Sequence, residues 1–277
     1  MASKPRTEHV QGDAEVLSPV RTAESVLLPI PKDTFEKLYL TPKMPIAGNL
    51  RRTFGNPTPI SLMGFLVSAT PNAMLHMGWR GAGGDGGAIF PAYIFFGGMI
   101  QVMGAVGEWI LGNTFSCAVF FTYGAFWLAQ GASLMPFFAV GANYSSSGNS
   151  LEGVDTTGYH ATAGLYYVIL AVVTFIYLIC SIRTNVCLFL ALLFLVIAYN
   201  LYAAVHFYAA LGNDSMATRL EVAAGACNFL LCFPIWYIFV AQMLESIDFP
   251  LVLPVGDLSE VVQGRNQKAR KRMENEA

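Results

Sequence analysis

Six stretches of this chain contain no charged residue and are dominated by apolar positions: Pro57 to Trp79, Gly86 to Gly107, Trp109 to Leu151, Thr156 to Ile182, Thr184 to Asn213 and Val222 to Leu244. A membrane-crossing helix needs about 20 mostly apolar residues, so each stretch predicts one. The third is longer than one span, but its second half runs through Gly141, Asn143, Tyr144, Ser145, Ser146, Ser147 and Gly148, which favour loop. The pattern therefore predicts an all-α polytopic membrane protein, a bundle of six transmembrane helices, without a seventh.

Charge sharpens the division. Between Thr53 and Leu244 only nine of 192 positions are charged, and the other 25 charges flank that block. Charged residues are 12% of the chain, against roughly 25% in a soluble domain. Mean hydropathy is +0.50. The expected organisation is a polar tail over 1–52, a six-helix membrane domain over 53–246 and a second tail over 247–277. Six prolines from Pro5 to Pro45 predict disorder in the first tail. It shows no apolar h-region followed by a small-residue cleavage site, so insertion is expected to begin with the first helix itself. Arg265, Lys268, Arg270, Lys271 and Arg272 form a basic cluster that either rests on an anionic inner leaflet or is simply solvated.

Lysine and arginine bias sets orientation. With the N-terminus inside, Lys43, Arg51, Arg52 and Arg183 fall on the cytoplasmic side near span ends, and Arg80 and Arg219 on the other. Both termini are therefore expected in the cytoplasm. The glycine-rich segment Gly81 to Gly87 lacks the lysine of a phosphate-binding loop and reads as a flexible connector at the outer mouth. Cys117, Cys180, Cys187, Cys227 and Cys232 have neither CxxC nor His-linked spacing and read as small buried hydrophobes. Neither a metal nor a cofactor is implied. No basic, aromatic-interleaved patch points to nucleic acid.

Polar side chains inside spans are costly in lipid and face protein or a water-filled cavity. In the first span Ser61, Phe65, Ser68 and Asn72 share one helical face, behind Asn56 as cap and Pro57 in the first turn. The second carries Gly97, Gln101, Gly104 and Glu108 on one stripe, and the third Ser116, Phe120, Tyr123, Trp127 and Gln130. Glu108 follows 22 uncharged residues. Buried, it is the candidate to take and release a proton; reaching the headgroups, it is only an anchor. Tyr123 either narrows a path while offering its hydroxyl or packs between helices. The fifth span shows Tyr199, Tyr202 and His206, the sixth Asn228 and Gln242. His76 and His206 lie near outer ends, where interfacial placement is the simpler reading.

The segment Asn56, Pro57, Thr58, Pro59, Ile60, Ser61, Leu62, continued by Met63, Gly64 and Phe65, resembles the NPAPLGL signature of the microbial acetate uptake transporter (AceTr) family. Phe96, Gly97, Gly98, Gln101, Glu108, Gly112, Asn113, Thr114 and Phe115 look like its second helix and the following turn, and Tyr123, Gly124, Phe126 and Trp127 like its third helix. Leu253, Pro254, Val255 and Gly256 are similar to its C-terminal end. The long polar tail looks like the fungal branch. This resemblance implies a homo-oligomer, hexameric in the family, in the plasma membrane, with a narrow path in each protomer for acetate or a related carboxylate, commonly with a proton. It implies a constriction of Phe65, Tyr123 and a fifth-helix leucine, Leu195. The signature departs from the family at Thr58 and at Ile60 and Ser61, and a glutamate near the end of the last helix has Gln242 near its place.

The expected function is therefore membrane transport of a short carboxylate. Asn56, Ser61, Gln101 and Tyr123 are expected to offer neutral hydrogen bonds, and Glu108 to handle the proton. Passive channel flow and a non-transporting carboxylate sensor are the alternatives. An intramembrane enzyme finds no HExxH, GxSxG or paired in-span carboxylates.

Overall fold

The structure, a computed structural model, describes residues 54–259, 261 and 262. The tail expected to be disordered and the basic cluster at Arg265 to Arg272 lie outside the described residues. Six long helices follow one another: α1 (Thr58–His76), α2 (Phe90–Ile110), α3 (Thr114–Ser133), α4 (Thr157–Ser181), α5 (Val186–Ala210) and α6 (Asp214–Ser246). Among the described residues there is no strand, only an isolated antiparallel bridge between Asn185 and Asp257.

Local signals explain where each helix begins. Asn56 and Pro57 act one residue later than the sequence suggests: Pro57 is the cap position, and the Asn56 side-chain oxygen accepts from the Thr58 amide at 3.0 Å. Thr156, Asn185 and Asn213 accept from backbone amides of the first turns of α4, α5 and α6, each satisfying an otherwise orphaned donor. The expected sixth span starts too late. Asp214, Arg219 and Glu221 break the charge-free run but not the helix, because Asn213 caps it ahead of all three. At about 1.5 Å per residue, the 33 residues of α6 measure roughly 50 Å, so its ends project beyond a hydrocarbon layer of about 30 Å.

The connector Gly81 to Gly87 is partly ordered, contrary to expectation: Trp79–Gly81 and Gly84–Gly86 each form a single 3-10 turn, with Gly84 and Gly86 at φ +66° and +80°. The second half of the long third run is indeed loop, with one turn at Ala142–Tyr144 and a short helix at Ser150–Val154. There Ser145 and Ser147 donate to Glu152 and hold its carboxyl below the usual carboxylate range.

Four helices, α2, α4, α5 and α6, are apolar enough over sufficient length to cross a membrane. By composition α1 and α3 are not, because their sequences spend positions on Thr, Ser, Asn, Gln and Gly that the bundle places inside. The helices pack in the order α4, α5, α6, α1, α2, α3. Side chains link α3 back to α4: Thr122 to Tyr177 at 2.9 Å and Tyr123 to Thr174 at 3.0 Å. Close approach of α2 needs glycine. A β-carbon on Gly104 would lie 2.1 Å from the Ser61 hydroxyl, and one on Gly97 2.5 Å from the Trp127 ring. Around Gly97 α2 widens into a π-helical stretch, Tyr93–Ile100.

Outward faces are apolar, as on α4 at Leu165, Ile169, Val172, Phe175, Ile176 and Ile179. Cys180 is exposed there as well, which corrects the reading of all five cysteines as buried; Cys232 alone is fully inside. After α6 the chain turns back and lays Leu253 to Leu258 against the α4–α5 turn. Val186 donates to the Gly256 carbonyl at 2.9 Å, Leu258 to Thr184 at 3.0 Å, and Val255 is buried.

Candidate functional site

Two cavities lie in series along the bundle interior, one toward the end where α1 begins and α6 finishes, the other toward the end of the longer loops. The tail-end cavity, about 40 Å³, is lined by Leu62 and Phe65 of α1, Gln101 of α2, Phe120 and Tyr123 of α3, residues of α5 from Leu188 to Leu195, and Leu231 and Ile235 of α6. The loop-end cavity, about 30 Å³, takes Phe65, Asn72 and His76 from α1, Trp127 and Gln130 from α3, Tyr167 from α4, Leu195, Tyr199 and Tyr202 from α5 and Asn228 from α6. Each exceeds the roughly 10–15 Å³ that one water centre needs. Phe65 and Leu195 line both, so these two side chains form the partition between them.

The structure thus brings together the three residues of the expected constriction. Tyr123 is buried beside Phe65 and Leu195, and its hydroxyl donates to Thr174 Oγ1 at 3.0 Å, while Thr174 donates to the Leu170 carbonyl at 2.7 Å. That chain fixes the ring through α4. Phe65 meets the Trp127 ring edge-on at 6.4 Å.

Gln101 is the polar feature of the tail-end cavity. It is 1% exposed, and its Oε1 has no hydrogen-bond partner among the described residues. A buried, unmet amide oxygen carries a desolvation penalty of about 1–3 kcal/mol, which a ligand that donates a hydrogen bond relieves.

The other expected contacts are not at the cavities. Asn56 is exposed at the start of α1 and gives its side-chain oxygen to the Thr58 amide. Ser61 is fully buried, but its hydroxyl donates to the Gln101 carbonyl at 3.0 Å, across the α1–α2 interface. Glu108 is fully buried too, and so does not reach the headgroups as an anchor. Its carboxylate accepts from the Thr58 hydroxyl and, at 2.5 Å, from Asn113 Nδ2. It lines neither cavity.

Sequence reasoning named Asn72, His76, Tyr202, His206 and Asn228 on their own helices but missed how they pair around the loop-end cavity. Asn72 accepts from Tyr93 at 2.7 Å, and Asn228 donates to the Tyr202 hydroxyl at 3.0 Å. His76 Nδ1 lies 2.8 Å from Glu221 Oε1, and His206 Nδ1 lies 3.1 Å from that of His160. The available signal was depth. His160 opens α4 and His206 closes α5, so antiparallel packing sets them level.

The chain is 39% identical over 228 residues to protein alcS of Aspergillus fumigatus, covering 82% of this chain and 84% of that protein. It is 27% identical to acetate permease A of Emericella nidulans, over 92% of this chain and 81% of the permease. A solved structure of the bacterial acetate channel SatP superimposes with a TM-score of 0.58 at 23% identity, over 73% of this chain and 99% of that one, a likeness of fold. Residues 39–260 match the GPR1/FUN34/yaaH family, and the chain belongs to it.

Proposed function

We propose that this protein, a carrier and not an enzyme, moves acetate or a related short-chain carboxylate through the interior of each protomer, by way of the two cavities and the Phe65–Leu195 partition. The observation that carries this reading is Gln101, an unmet amide oxygen in an otherwise apolar cavity, with Tyr123 on the same wall. As an acceptor, that oxygen can take a bond from the O–H of the protonated acid and none from the anion, and such a neutral partner holds the acid without trapping it as a fixed arginine would. The acetate permease among the relatives and the acetate channel among the solved structures support the choice of substrate.

In this reading all six helices span the bilayer, with most of α1 screened from lipid by its neighbours and α3 turning Phe121 and Leu128 outward. Both tails face the cytoplasm, and the loop-end cavity opens to the outside of the plasma membrane. The apolar outer faces of α2 and α4 support assembly into a homo-oligomeric ring, a hexamer by resemblance.

A small carboxylic acid has a pKa near about 4 and is an anion at neutral pH. Bringing that anion in against a negative interior costs about 2.3 kcal/mol per 100 mV, and a co-transported proton cancels the charge. Proton-accompanied transport is therefore the proposal. Passive channel flow is the second reading, favoured by the likeness to an acetate channel.

Labelled acetate uptake into vesicles containing the purified protein, at several external pH values and against formate, propionate, lactate and succinate, tests both. Uptake that rises with acidity and with an imposed proton gradient supports the coupled form. Uptake indifferent to that gradient leaves the channel form, and no carboxylate uptake overturns the proposal.

A further inference from the structure

We infer that His160 and His206 form a one-proton site at the rim of the loop-end cavity, and that its loading makes carboxylate entry respond to pH on that side. The inference rests on the reading of that cavity as part of the path.

Geometry supplies the argument. The two Nδ1 atoms are 3.1 Å apart, hydrogen-bonding distance for one N–H shared between two nitrogens. One ring must therefore present a bare Nδ1 lone pair to the other. A neutral pair satisfies this, and so does a pair carrying one extra proton, in which an imidazolium donates to a neutral imidazole in a stronger, charge-assisted bond. A second extra proton sets N–H against N–H and charge against charge. The contact then breaks, so the two rings titrate as a unit.

Burial and the neighbouring ring work against charge on His206, and the groups packed around the pair work for it. Tyr167 stacks on His206 with ring centres 5.3 Å apart and planes 18° from parallel, a geometry suited to a cation over an aromatic face. Tyr159, itself packed against Tyr144, stands edge-on to His160. From α6, the Glu221 carboxylate acts electrostatically on His206 while bonded to His76 from α1, and Tyr202 of α5 packs on His76. Asp214 and Arg219 of α6 and Asp155 before α4 are exposed.

The pair is also placed to matter for entry. Tyr167, Tyr202 and His76 line the cavity directly, and Tyr167 is the ring between the cavity and His206. One positive charge behind that ring draws a carboxylate toward the Phe65–Leu195 partition. Loss of the charge at higher pH removes the attraction. The contact also joins α4 to α5 across 46 residues of sequence, as His76–Glu221 joins α1 to α6, so all four helices share one protonation-dependent rim.

The test compares acetate uptake by vesicles bearing the full chain and its His160→Gln, His206→Gln and double variants. External pH is varied from about 7.5 to 5, around the ordinary imidazole value of about 6.5. Uptake by the unaltered protein should rise severalfold across this range. Each variant, normalised to its own maximum, should lose most of that dependence, and the double variant should behave like the singles. Unchanged pH profiles in variants that still transport would overturn the inference. Ring ¹⁵N NMR of histidine-labelled protein in nanodiscs gives a readout that does not depend on transport. His160 and His206 should titrate together, and His160→Gln should shift His206. Two rings titrating independently would overturn the shared-proton site, whereas absent uptake with an intact coupled titration would count against the transport reading.

Discussion

The Thr58 hydroxyl donates to the Glu108 carboxylate, across 50 residues of sequence and between the first turn of α1 and the last turns of α2. Thr58 is the residue that departs from the alanine of the acetate-uptake signature, and Ser61 departs from the glycine. Both added hydroxyls join α1 to α2, Ser61 through the Gln101 carbonyl. The departures therefore change how the helices are tied before they change anything in the cavities. Thr58→Ala should leave one Glu108 oxygen without that donor and lower stability by about 1–3 kcal/mol, read as a fall in the thermal midpoint of the detergent-solubilised protein. Glu108→Gln places an amide NH₂ against the Thr58 or Asn113 donor and should be at least as costly. If Glu108→Gln transports with an unaltered pH profile once folded, Glu108 holds the bundle and does not handle the proton.

Gln101 makes the opposite prediction for stability. Its Oε1 is buried without a partner, so Gln101→Leu removes an unmet polar atom and should leave the thermal midpoint unchanged or raise it. Acetate uptake should fall steeply. A variant that is less stable yet fully active would assign Gln101 to packing.

Much of this was legible in the charge-free runs, and the reasons for the exceptions are physical. A run without charge marks apolar surroundings, so it located five helix starts within a few residues. It misjudged α6, where capped helix continues past the bilayer into water and tolerates Arg219 and Glu221. Helical spacing put Phe65, Gln101 and Tyr123 each on a polar stripe of its own helix, and all three line the tail-end cavity, but only the family resemblance implied that Phe65 and Tyr123 meet. Spacing could not show that Ser61, on the same stripe as Phe65, turns to a neighbouring backbone carbonyl, because stripe membership fixes a face and not a partner. The His160–His206 contact left only a signal of depth, since the sequence sets both rings near the same end of successive helices without showing that they face each other.

The partition between the cavities is a pair of side chains without hydrogen bonds, Phe65 and Leu195. Leu195→Ala should join the cavities, at a cost of about 2–5 kcal/mol for a buried leucine. Uptake of propionate and lactate relative to acetate should increase, because a wider opening admits the larger acids. A selectivity series indistinguishable from that of the unaltered protein, in a variant that still folds, would place the discriminating step elsewhere.

Tyr123 separates ring from hydroxyl. Tyr123→Phe keeps the wall of the tail-end cavity but leaves Thr174 Oγ1 without its donor, so about 0.5–1.5 kcal/mol of stability should be lost with selectivity retained. Tyr123→Ala removes the wall itself and should alter selectivity or rate more than expression. A change confined to expression would assign the ring to helix packing alone.

The C-terminal segment makes a final prediction at the tail end. Gly256 sits at φ +74°, a left-handed conformation that glycine adopts freely, and an added β-carbon would meet Val186 Cγ2 at 2.9 Å. Its carbonyl accepts the Val186 amide at the start of α5, next to Asn185, whose side chain caps Leu188 on the cavity wall. Gly256→Ala should therefore peel Leu253 to Leu258 from the α4–α5 turn without unfolding the six helices. Hydrogen exchange should rise at Val186 and Leu258 while the centre of α5 stays protected. If exchange at the two amides is unchanged, the backbone bonds of this segment are not what holds it in place.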